Sequence, residues 1–211
     1  MKKIRFVIVE DDKIIRESMK EILLTDDRLE CVGVYQKGED FISAFKDLGV
    51  DVVLMDIGLP GKTGTEVVAI LKPIKPEVQF LMCTSFDDPE RIFSSLKAGA
   101  TGYVLKNESP DKIIASILDI YRGGSPMSAE IARMVVGSFS QKKEETELFK
   151  SLTPREQEIL VLLAKGYQYR EIGEQLFISI ETVRTYLRRI YEKLQVRSKI
   201  EADRKSTRLN S

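Results

Sequence analysis

The hydrophobic positions of residues 1–122 follow two alternating patterns. Short, nearly continuous apolar runs predict five buried strands, at 4–9, 31–34, 50–55, 78–83 and 102–105. Between these runs, apolar residues recur at helical spacing, which predicts helices at 12–24, 39–47, 64–71, 89–98 and from 109 onwards. Five strands that alternate with five helices indicate an α/β fold with a doubly wound parallel sheet covered on both faces.

The pattern changes after residue 122. Gly123, Gly124 and Pro126 interrupt both periodicities and predict a linker over 123–150, in which 128–139 have the spacing of a connecting helix. From residue 151 onwards the periodicity is purely helical, and it begins with the capping-box sequence TPRE. Three helices are predicted, from 153 to 166, over 169–176 and from 179 to about 194. The chain therefore carries an α/β domain over 1–122 and a small all-α domain over 151–202.

The composition is that of a soluble globular protein, with 43% hydrophobic and 31% charged residues. No apolar stretch approaches the ~18 residues that a membrane span needs, and no signal-peptide segment is recognisable. We therefore expect a cytoplasmic protein without a membrane partner. The net charge is zero, but residues 179–199 hold six basic and two acidic side chains. This local excess favours an anionic partner for the C-terminal segment.

The chain contains no histidine, which excludes Ser-His-Asp and Cys-His catalysis and the usual zinc sites. The two cysteines, Cys31 and Cys83, lie in apolar strand-like runs, and we expect buried, reduced thiols. A phosphate-binding P-loop is excluded as well. The residues Gly61-Lys62-Thr63 resemble the end of such a loop, but Asp56 occupies the position of its first glycine.

Polar side chains follow four of the five predicted strands. They are Glu10 and Asp11 after the first strand, Asp56 after the third, Thr84 at the end of the fourth and Lys106 after the fifth. Because ligands of an open parallel sheet lie outside the carboxyl ends of the strands, we expect these groups to converge at one edge. A lone acid at a strand end is usually a cap, but the complete set indicates a ligand site.

The chemistry of this set points to phosphoryl transfer. Neighbouring carboxylates repel one another, and Mg²⁺, which takes oxygen ligands and commonly binds one or two carboxylates together with a phosphate, relieves that repulsion. Asp56 can attack phosphorus and become an acyl phosphate. Lys106 and the metal would neutralise charge on the transferring group, and Thr84 could donate a hydrogen bond to a phosphoryl oxygen.

Residues 1–122 resemble the receiver domain of bacterial two-component response regulators. The matching elements are Glu10-Asp11, Asp56 with the loop Leu59-Pro60-Gly61, Thr84, and the run from Tyr103 to Lys106. The resemblance implies a flavodoxin-like five-stranded sheet and a sensor histidine kinase whose phosphohistidine donates a phosphoryl group to Asp56. It also implies that Asp11, Asp56 and the Gly58 carbonyl hold Mg²⁺, with Glu10 acting through water. Tyr103 would turn inward when Thr84 moves toward the phosphate.

Residues 151–202 resemble the helix-turn-helix domain of the NarL/FixJ family, also called LuxR-type, in the segments LTPRE, REIGEQL and SIETVRTY. The resemblance implies that the helix beginning at Ser179 enters the major groove of double-stranded DNA. The spacing agrees, because apolar positions share one face of this helix and basic positions the other. The predicted DNA contacts are Ser179, Thr182, Arg184, Thr185, Arg188, Arg189 and Lys193. Most relatives carry lysine and histidine at positions 184 and 186, so the preferred DNA sequence is expected to differ.

Taken together, these features predict a phosphorylation-switched transcriptional regulator that accepts a phosphoryl group on itself and turns over no external substrate. We expect a homodimer when the chain is phosphorylated. Residues 203–211 differ from the amphipathic dimerisation helix of relatives and are expected to be non-native.

Two alternatives remain open. One is a magnesium-dependent phosphotransfer enzyme with an aspartyl-phosphate intermediate. Gly58 argues against it, because such enzymes usually place a second aspartate at that position. The other is a phosphate-independent DNA-binding protein that uses residues 1–122 only for dimerisation, which the complete set of polar strand-end residues disfavours.

Overall fold

The computed structural model describes residues 2–85, 89–138 and 149–209 of the chain, and it gives no side-chain detail for 196–209. The chain divides into two compact units. The first comprises Met1–Phe86 and Ala98–Pro126, and the second comprises Asp87–Lys97 and Met127–Ser211.

The first unit is built around a parallel sheet of five strands. They are β1 (Ile4–Val9), β2 (Leu29–Tyr35), β3 (Val52–Met55), β4 (Gln79–Thr84) and β5 (Gly102–Leu105), in the order β2-β1-β3-β4-β5. This is a flavodoxin-like order, in which the ligand crevice lies at the carboxyl ends of β1 and β3, where the strand order reverses. The predicted doubly wound parallel sheet is confirmed.

Helices cover both faces of this sheet. On one face α1 (Lys13–Leu23) packs with α5 (Pro110–Tyr121), and on the other α2 (Gly38–Ala44) packs with α3 (Gly64–Leu71). The remaining helix of this part of the chain, α4 (Pro89–Ala98), belongs to the second unit except for its last residue. Alternation along each strand sends successive side chains to opposite faces, so each nearly continuous apolar strand contributes to two cores.

The two cores differ in composition. The core beneath α1 and α5 is mainly aliphatic and includes Phe6, Ile8, Leu54, Leu81 and Ile117, all essentially inaccessible to solvent. Beneath α2 and α3, three phenylalanine rings form a continuous chain from Phe41 through Phe45 to Phe80, with centroid separations of 5.4 and 6.2 Å. Aromatic pairs at such separations stabilise packing beyond the area they bury.

The strand boundaries differ slightly from those predicted. β2 begins at Leu29 rather than at residue 31, because its pairing with β1 starts at Ile4 opposite Leu29. The Ile4 amide also donates a 2.8 Å hydrogen bond to the Arg28 carbonyl. β3 begins at Val52 instead of residue 50. The carboxyl ends of all five strands lie within one residue of their predicted positions.

The second unit contains α6 (Ala129–Ser138), α7 (Pro154–Ala164), α8 (Tyr169–Leu176) and α9 (Ile180–Leu209) in addition to α4. Helix α6 lies within the predicted linker and packs against α7. Its Arg133 guanidinium donates a 3.2 Å hydrogen bond to the Ala164 carbonyl at the end of α7. Part of the predicted linker is therefore integrated into the helical unit.

Helix α9 is longer than predicted. The sequence placed its end at about residue 194, whereas the helix continues to Leu209 and includes much of the tail predicted as atypical. No glycine or proline occurs between residues 180 and 209, so no residue in this range disrupts the helical hydrogen bonding.

Both thiols are free, as predicted. Cys83 is buried and Cys31 is half-buried, and burial raises the pKa of the Cys83 thiol to about 12. Within the described ranges, the chain has no helix with both the length and the apolar character that membrane crossing requires.

Candidate functional site

Backbone hydrogen bonds continue the sheet ladder past the ends of the strands. The Asp56 amide donates to the Val9 carbonyl at 2.9 Å, and the Lys106 amide donates to the Thr84 carbonyl at 2.9 Å. The Glu10 amide donates to the Tyr35 carbonyl at 3.0 Å. These bonds fix the backbone beneath the polar side chains, which therefore emerge at one level of the sheet.

Three carboxylates meet at this edge. One oxygen each from Glu10, Asp11 and Asp56 lies within 4.8 Å of the others. Glu10 and Asp56 are only 2% and 5% exposed, whereas Asp11 is partly exposed. The Lys106 ammonium lies 2.5 Å from Glu10 Oε2 and 3.1 Å from Asp56 Oδ1. The predicted convergence of acids and lysine is present.

The electrostatics of the cluster reflect an excess of negative charge. Burial raises the pKa of the Glu10 carboxyl, the Asp56 charge adds to this effect, and the Lys106 ammonium opposes it. Burial lowers the pKa of Lys106, but its hydrogen bond to Glu10 and the charges of both carboxylates outweigh burial and raise that pKa overall. The cluster thus contains three acids and one ammonium, which contacts two of them. Oxygen donors in this arrangement suit a hard divalent cation.

The loop after β3 holds Asp56 in place. A Cβ atom on Gly64 would lie 1.9 Å from the Asp56 carbonyl oxygen, so only glycine permits this approach of α3. The Gly64 amide donates a 3.1 Å hydrogen bond to the Ile57 carbonyl, and Thr63 and Glu66 form a capping box at the start of α3. Gly58, two residues after Asp56 in the same loop, is exposed.

Thr84 and Tyr103 are both fully buried. Thr84 pairs with Leu105 in the register of β4 and β5, and Tyr103 pairs with Met82 two residues earlier. Because side chains two residues apart along a strand share a face, Thr84 and Tyr103 lie on the same face of neighbouring strands. The Tyr103 amide also donates a 2.8 Å hydrogen bond to the carbonyl of Pro126, at the start of the predicted linker.

Arg16 is a component of the site that the sequence analysis missed. Its Nη1 donates to the carbonyls of Glu10 and Asp11, at 2.8 and 3.1 Å, and its side chain is only 12% exposed. It thereby fixes the backbone of the two acids from the first turn of α1. In the sequence it is one arginine on the polar side of an amphipathic helix, which is indistinguishable from an ordinary surface residue. Asp12, in contrast, caps α1 through the amides of Ile14 and Ile15.

The second group of predicted residues lies on α9. Its buried side is formed by Val183, Leu187, Ile190 and Leu194. Arg188 and Arg189 are exposed, while Thr182, Arg184 and Thr185 are partly exposed. Ser179 Oγ accepts a 3.1 Å hydrogen bond from the Thr182 amide at the start of the helix. The predicted division into an apolar and a basic face is present.

Several basic side chains of this face have local partners on the same helix. Arg184 pairs with Glu181, and Arg188 Nε lies 3.8 Å from Glu192. Arg189 lies over the Tyr186 ring at 5.8 Å from its centroid. Exposed ion pairs of this kind contribute ~0–1 kcal/mol each. A nucleic-acid phosphate or base edge could replace these partners at little cost.

Lys193 is placed differently from the other predicted contacts. Its ammonium lies 2.6 Å from Glu156 Oε2, in the capping box of α7, and Glu156 is 2% exposed. The same carboxylate accepts a 2.6 Å hydrogen bond from the Thr153 amide. This ion pair joins α9 to α7 inside the helical unit, and the contact of Lys193 with DNA stays a prediction.

Two family models match this chain. Residues 6–118 match the family described as response regulator receiver domain, and residues 150–205 match bacterial regulatory proteins of the luxR family. The transcriptional regulatory protein LnrK of Bacillus subtilis (strain 168) is 31% identical, with 94% of each chain covered. The oxygen regulatory protein NreC of Staphylococcus aureus (strain JH9) is 33% identical, over 93% of this chain and 94% of NreC.

Solved structures show the same architecture. The crystal structure of the response regulator ChrA, from a heme-sensing two-component system, is 27% identical with a TM-score of 0.57, over 98% of this chain and 99% of ChrA. RcsB of Salmonella typhimurium shares the fold with a TM-score of 0.62 at 21% identity, over 92% and 93% of the two chains. The chain therefore belongs to the response regulators that join a receiver domain to a LuxR-family DNA-binding domain.

Proposed function

We propose that the protein is a DNA-binding transcriptional regulator that is switched by phosphorylation of Asp56. The observation that carries this proposal is the cluster of Glu10, Asp11, Asp56 and Lys106 at the carboxyl edge of the sheet, in a chain that also has a LuxR-family domain. We assign the receiver to residues 1–122 and the DNA-binding domain to 151–202, with 123–150 as the connection that includes α6.

In the proposed reaction, Asp56 attacks the phosphorus of a phosphohistidine on a sensor histidine kinase. A P–O bond to the carboxylate forms, the P–N bond breaks, and its electron pair returns to the imidazole, which takes up a proton. Asp11, Asp56 and the Gly58 carbonyl would hold Mg²⁺, with Glu10 acting through water. The chemistry that this metal would supply is neutralisation of the phosphoryl charge. Lys106, already 3.1 Å from Asp56, would pair with the added phosphoryl oxygens.

Turnover of an external substrate is not part of this proposal. Gly58 occupies the position at which aspartyl-phosphate enzymes usually place a second aspartate, and the chain has no histidine to replace it. The relatives named as transcriptional regulators do not favour the phosphotransferase alternative. We propose that phosphorylated chains form a homodimer on double-stranded DNA.

The proposal is tested with Mg²⁺ and acetyl phosphate as a small phosphodonor. Intact mass should increase by one phosphoryl group, and chelation of Mg²⁺ should prevent the increase. The phosphorylated and unphosphorylated forms are then compared for binding to a duplex selected by the phosphorylated chain from a randomised pool. Identical affinity of the two forms would contradict a phosphorylation switch, and absence of any selected duplex would contradict DNA binding.

Thr84→Ala should separate phosphorylation from its effect. The variant should still gain one phosphoryl group, because Asp56 and the acidic cluster are unchanged. It should lose most of the phosphate-dependent change in DNA affinity, since only a contact that differs between two states can shift their equilibrium. Thr84→Ser retains the hydroxyl and serves as the matched control. A full response in Thr84→Ala would place the coupling in other residues.

Arg184→Ala and Arg188→Ala should each weaken DNA binding. An arginine bound bidentately to guanine discriminates by ~1–3 kcal/mol, so loss of such a contact should also relax preference at one base position. Loss of an arginine that contacts only phosphate should instead weaken binding to all duplexes alike and reduce the salt slope by about 1. Fluorescence anisotropy across single-base variants at two salt concentrations distinguishes these roles.

Arg28→Ala is the control for these two variants. It removes the same charge from an exposed ion pair with Asp26 in the first unit. Unchanged DNA affinity in both α9 variants would contradict the assignment of this helix to the DNA interface.

A further inference from the structure

Phe177 combines two features that are unfavourable in an isolated protein. Its side chain is 95% exposed, the largest exposure among the large hydrophobic residues that the structure describes. Its backbone φ is +55°, and among the residues that the structure describes it is the single non-glycine residue with a positive φ. Left-handed backbone geometry is rare for residues with a bulky side chain, and glycine adopts it without a steric penalty.

The conformation of this turn is set by the backbone, while the ring itself has no role in it. Phe177 is the C-cap of α8, and the Ile178 amide donates a 2.9 Å hydrogen bond to the Gly173 carbonyl. A Cβ atom on Gly173 would lie 2.7 Å from the Ile178 carbonyl oxygen, so the chain packs tightly here. Glycine is the usual residue at such a left-handed helix terminus. An exposed phenylalanine in its place does not improve folding.

The position of Phe177 links it to the proposed DNA interface. It lies in the turn between α8 and α9, two residues before Ser179, whose hydroxyl caps α9. Ile180, the first residue of α9, is also exposed. In a helix-turn-helix the N-terminal residues of the second helix contact base edges, and its first amides can approach a phosphate. Phe177 therefore lies next to this surface in the chain, and its exposed ring is an apolar group close to the start of α9.

We propose that the Phe177 ring packs against an apolar carbon of duplex DNA when α9 occupies the major groove. This inference rests on the proposed function of α9. Duplex DNA offers two such groups beside a major-groove helix, the carbons of deoxyribose and the C5-methyl group of thymine. The strain and the exposure of the ring in the free protein are then offset by burial on DNA, as is typical of residues retained for binding.

The test uses Phe177→Gly and Phe177→Asn in the full chain. Both replacements tolerate positive φ, so the melting temperature should be equal to or higher than that of the wild type. Affinity for a duplex selected by the wild-type chain should fall about tenfold, the change that ~1.4 kcal/mol produces. Phe177→Tyr retains the ring and should retain affinity. Ile74→Asn removes an exposed apolar side chain from the first unit and should leave binding unchanged.

The salt dependence of binding and replacement of single bases show which group of DNA the Phe177 ring contacts. Because no charge is removed, the salt slope of Phe177→Gly should equal that of the wild type, whereas a phosphate-binding arginine variant reduces it by about 1. Replacement of each thymine by deoxyuridine separates the two DNA groups. If the difference in affinity between the wild type and Phe177→Gly disappears on one uracil-containing duplex, the ring packs against that thymine methyl. If the difference persists on all of these duplexes, the ring packs against deoxyribose.

Undiminished affinity in Phe177→Gly and Phe177→Asn would overturn the inference while leaving the proposed function intact, provided that the α9 arginine variants still lose affinity. A loss accompanied by a lower melting temperature in both variants would also overturn it, because the ring would then be structural. If the variants changed self-association but not DNA affinity per subunit, the ring would contact a second copy of the chain and not DNA. If the wild type binds no duplex, the proposed function itself fails.

Discussion

Asp56→Asn should abolish incorporation of a phosphoryl group. The amide has nearly the same shape as the carboxylate, so the loop held by Gly64 should persist, but it lacks the nucleophilic oxygen that forms the acyl phosphate. Intact mass after incubation with Mg²⁺ and acetyl phosphate should stay at the unmodified value. The phosphodonor should then have no effect on DNA binding. This is the largest functional effect that we expect from any single replacement.

Two further variants make the result specific to Asp56. Asp27→Asn, which alters an exposed acid after α1, should be phosphorylated like the wild type. Asp11→Asn retains the nucleophile but removes one oxygen donor of the cluster, so phosphorylation should require a higher Mg²⁺ concentration. A mass increase in Asp56→Asn equal to that of the wild type would show that another residue accepts the phosphoryl group.

Lys193→Met should cause the largest loss of stability, about 2 kcal/mol in the free energy of unfolding of the helical unit. Removal of the ammonium leaves the Glu156 carboxylate buried with the Thr153 amide and hydroxyl as its partners. Loss of one partner from a fully buried ion pair costs ~3–5 kcal/mol, and we reduce this value because Lys193 is partly exposed and screened by water. Urea unfolding followed by circular dichroism measures the change.

The pH dependence gives an independent check. Burial raises the pKa of Glu156, but the hydrogen bonds from Lys193 and Thr153 outweigh burial and lower that pKa below its usual value of 4.5. An acid whose pKa is lowered on folding stabilises the protein above its unfolded-state pKa. This stabilisation disappears as the pH falls through the folded-state pKa. The difference in the free energy of unfolding between the wild type and Lys193→Met should therefore be largest at neutral pH and decrease below pH 4.5.

Glu156→Gln is the matched partner variant. It removes the charge, keeps a hydrogen-bond acceptor for the Thr153 amide and leaves Lys193 free to reach solvent, so it should destabilise less than Lys193→Met. The double variant should be more stable than the sum of the single effects predicts. Strict additivity would contradict a direct ion pair between the two side chains. A reduced salt slope of DNA binding in Lys193→Met would show that Lys193 also contacts phosphate, as the sequence predicts.

The sequence by itself determined the receiver fold and the members of its acidic site. Continuous apolar runs specify parallel strands because both faces of such a sheet are buried, and a polar residue that ends a run marks the edge where ligands bind. The sequence therefore predicts that Glu10, Asp56, Thr84 and Lys106 lie at one edge of the sheet. The capping box of α7 is similarly local, since a cap involves residues three apart in the chain.

Only the tertiary structure decided how side chains distant in sequence are paired. Arg16 supports the backbone of Glu10 and Asp11, and Lys193 pairs with Glu156 of another helix, although both basic residues have the helical spacing of surface positions. The strained, exposed turn at Phe177 was also invisible, because a phenylalanine in a sequence reads as a core residue. Periodicity reports which face of an element is buried, whereas the partner of a charge and the φ angle of a turn depend on how separate elements are packed together.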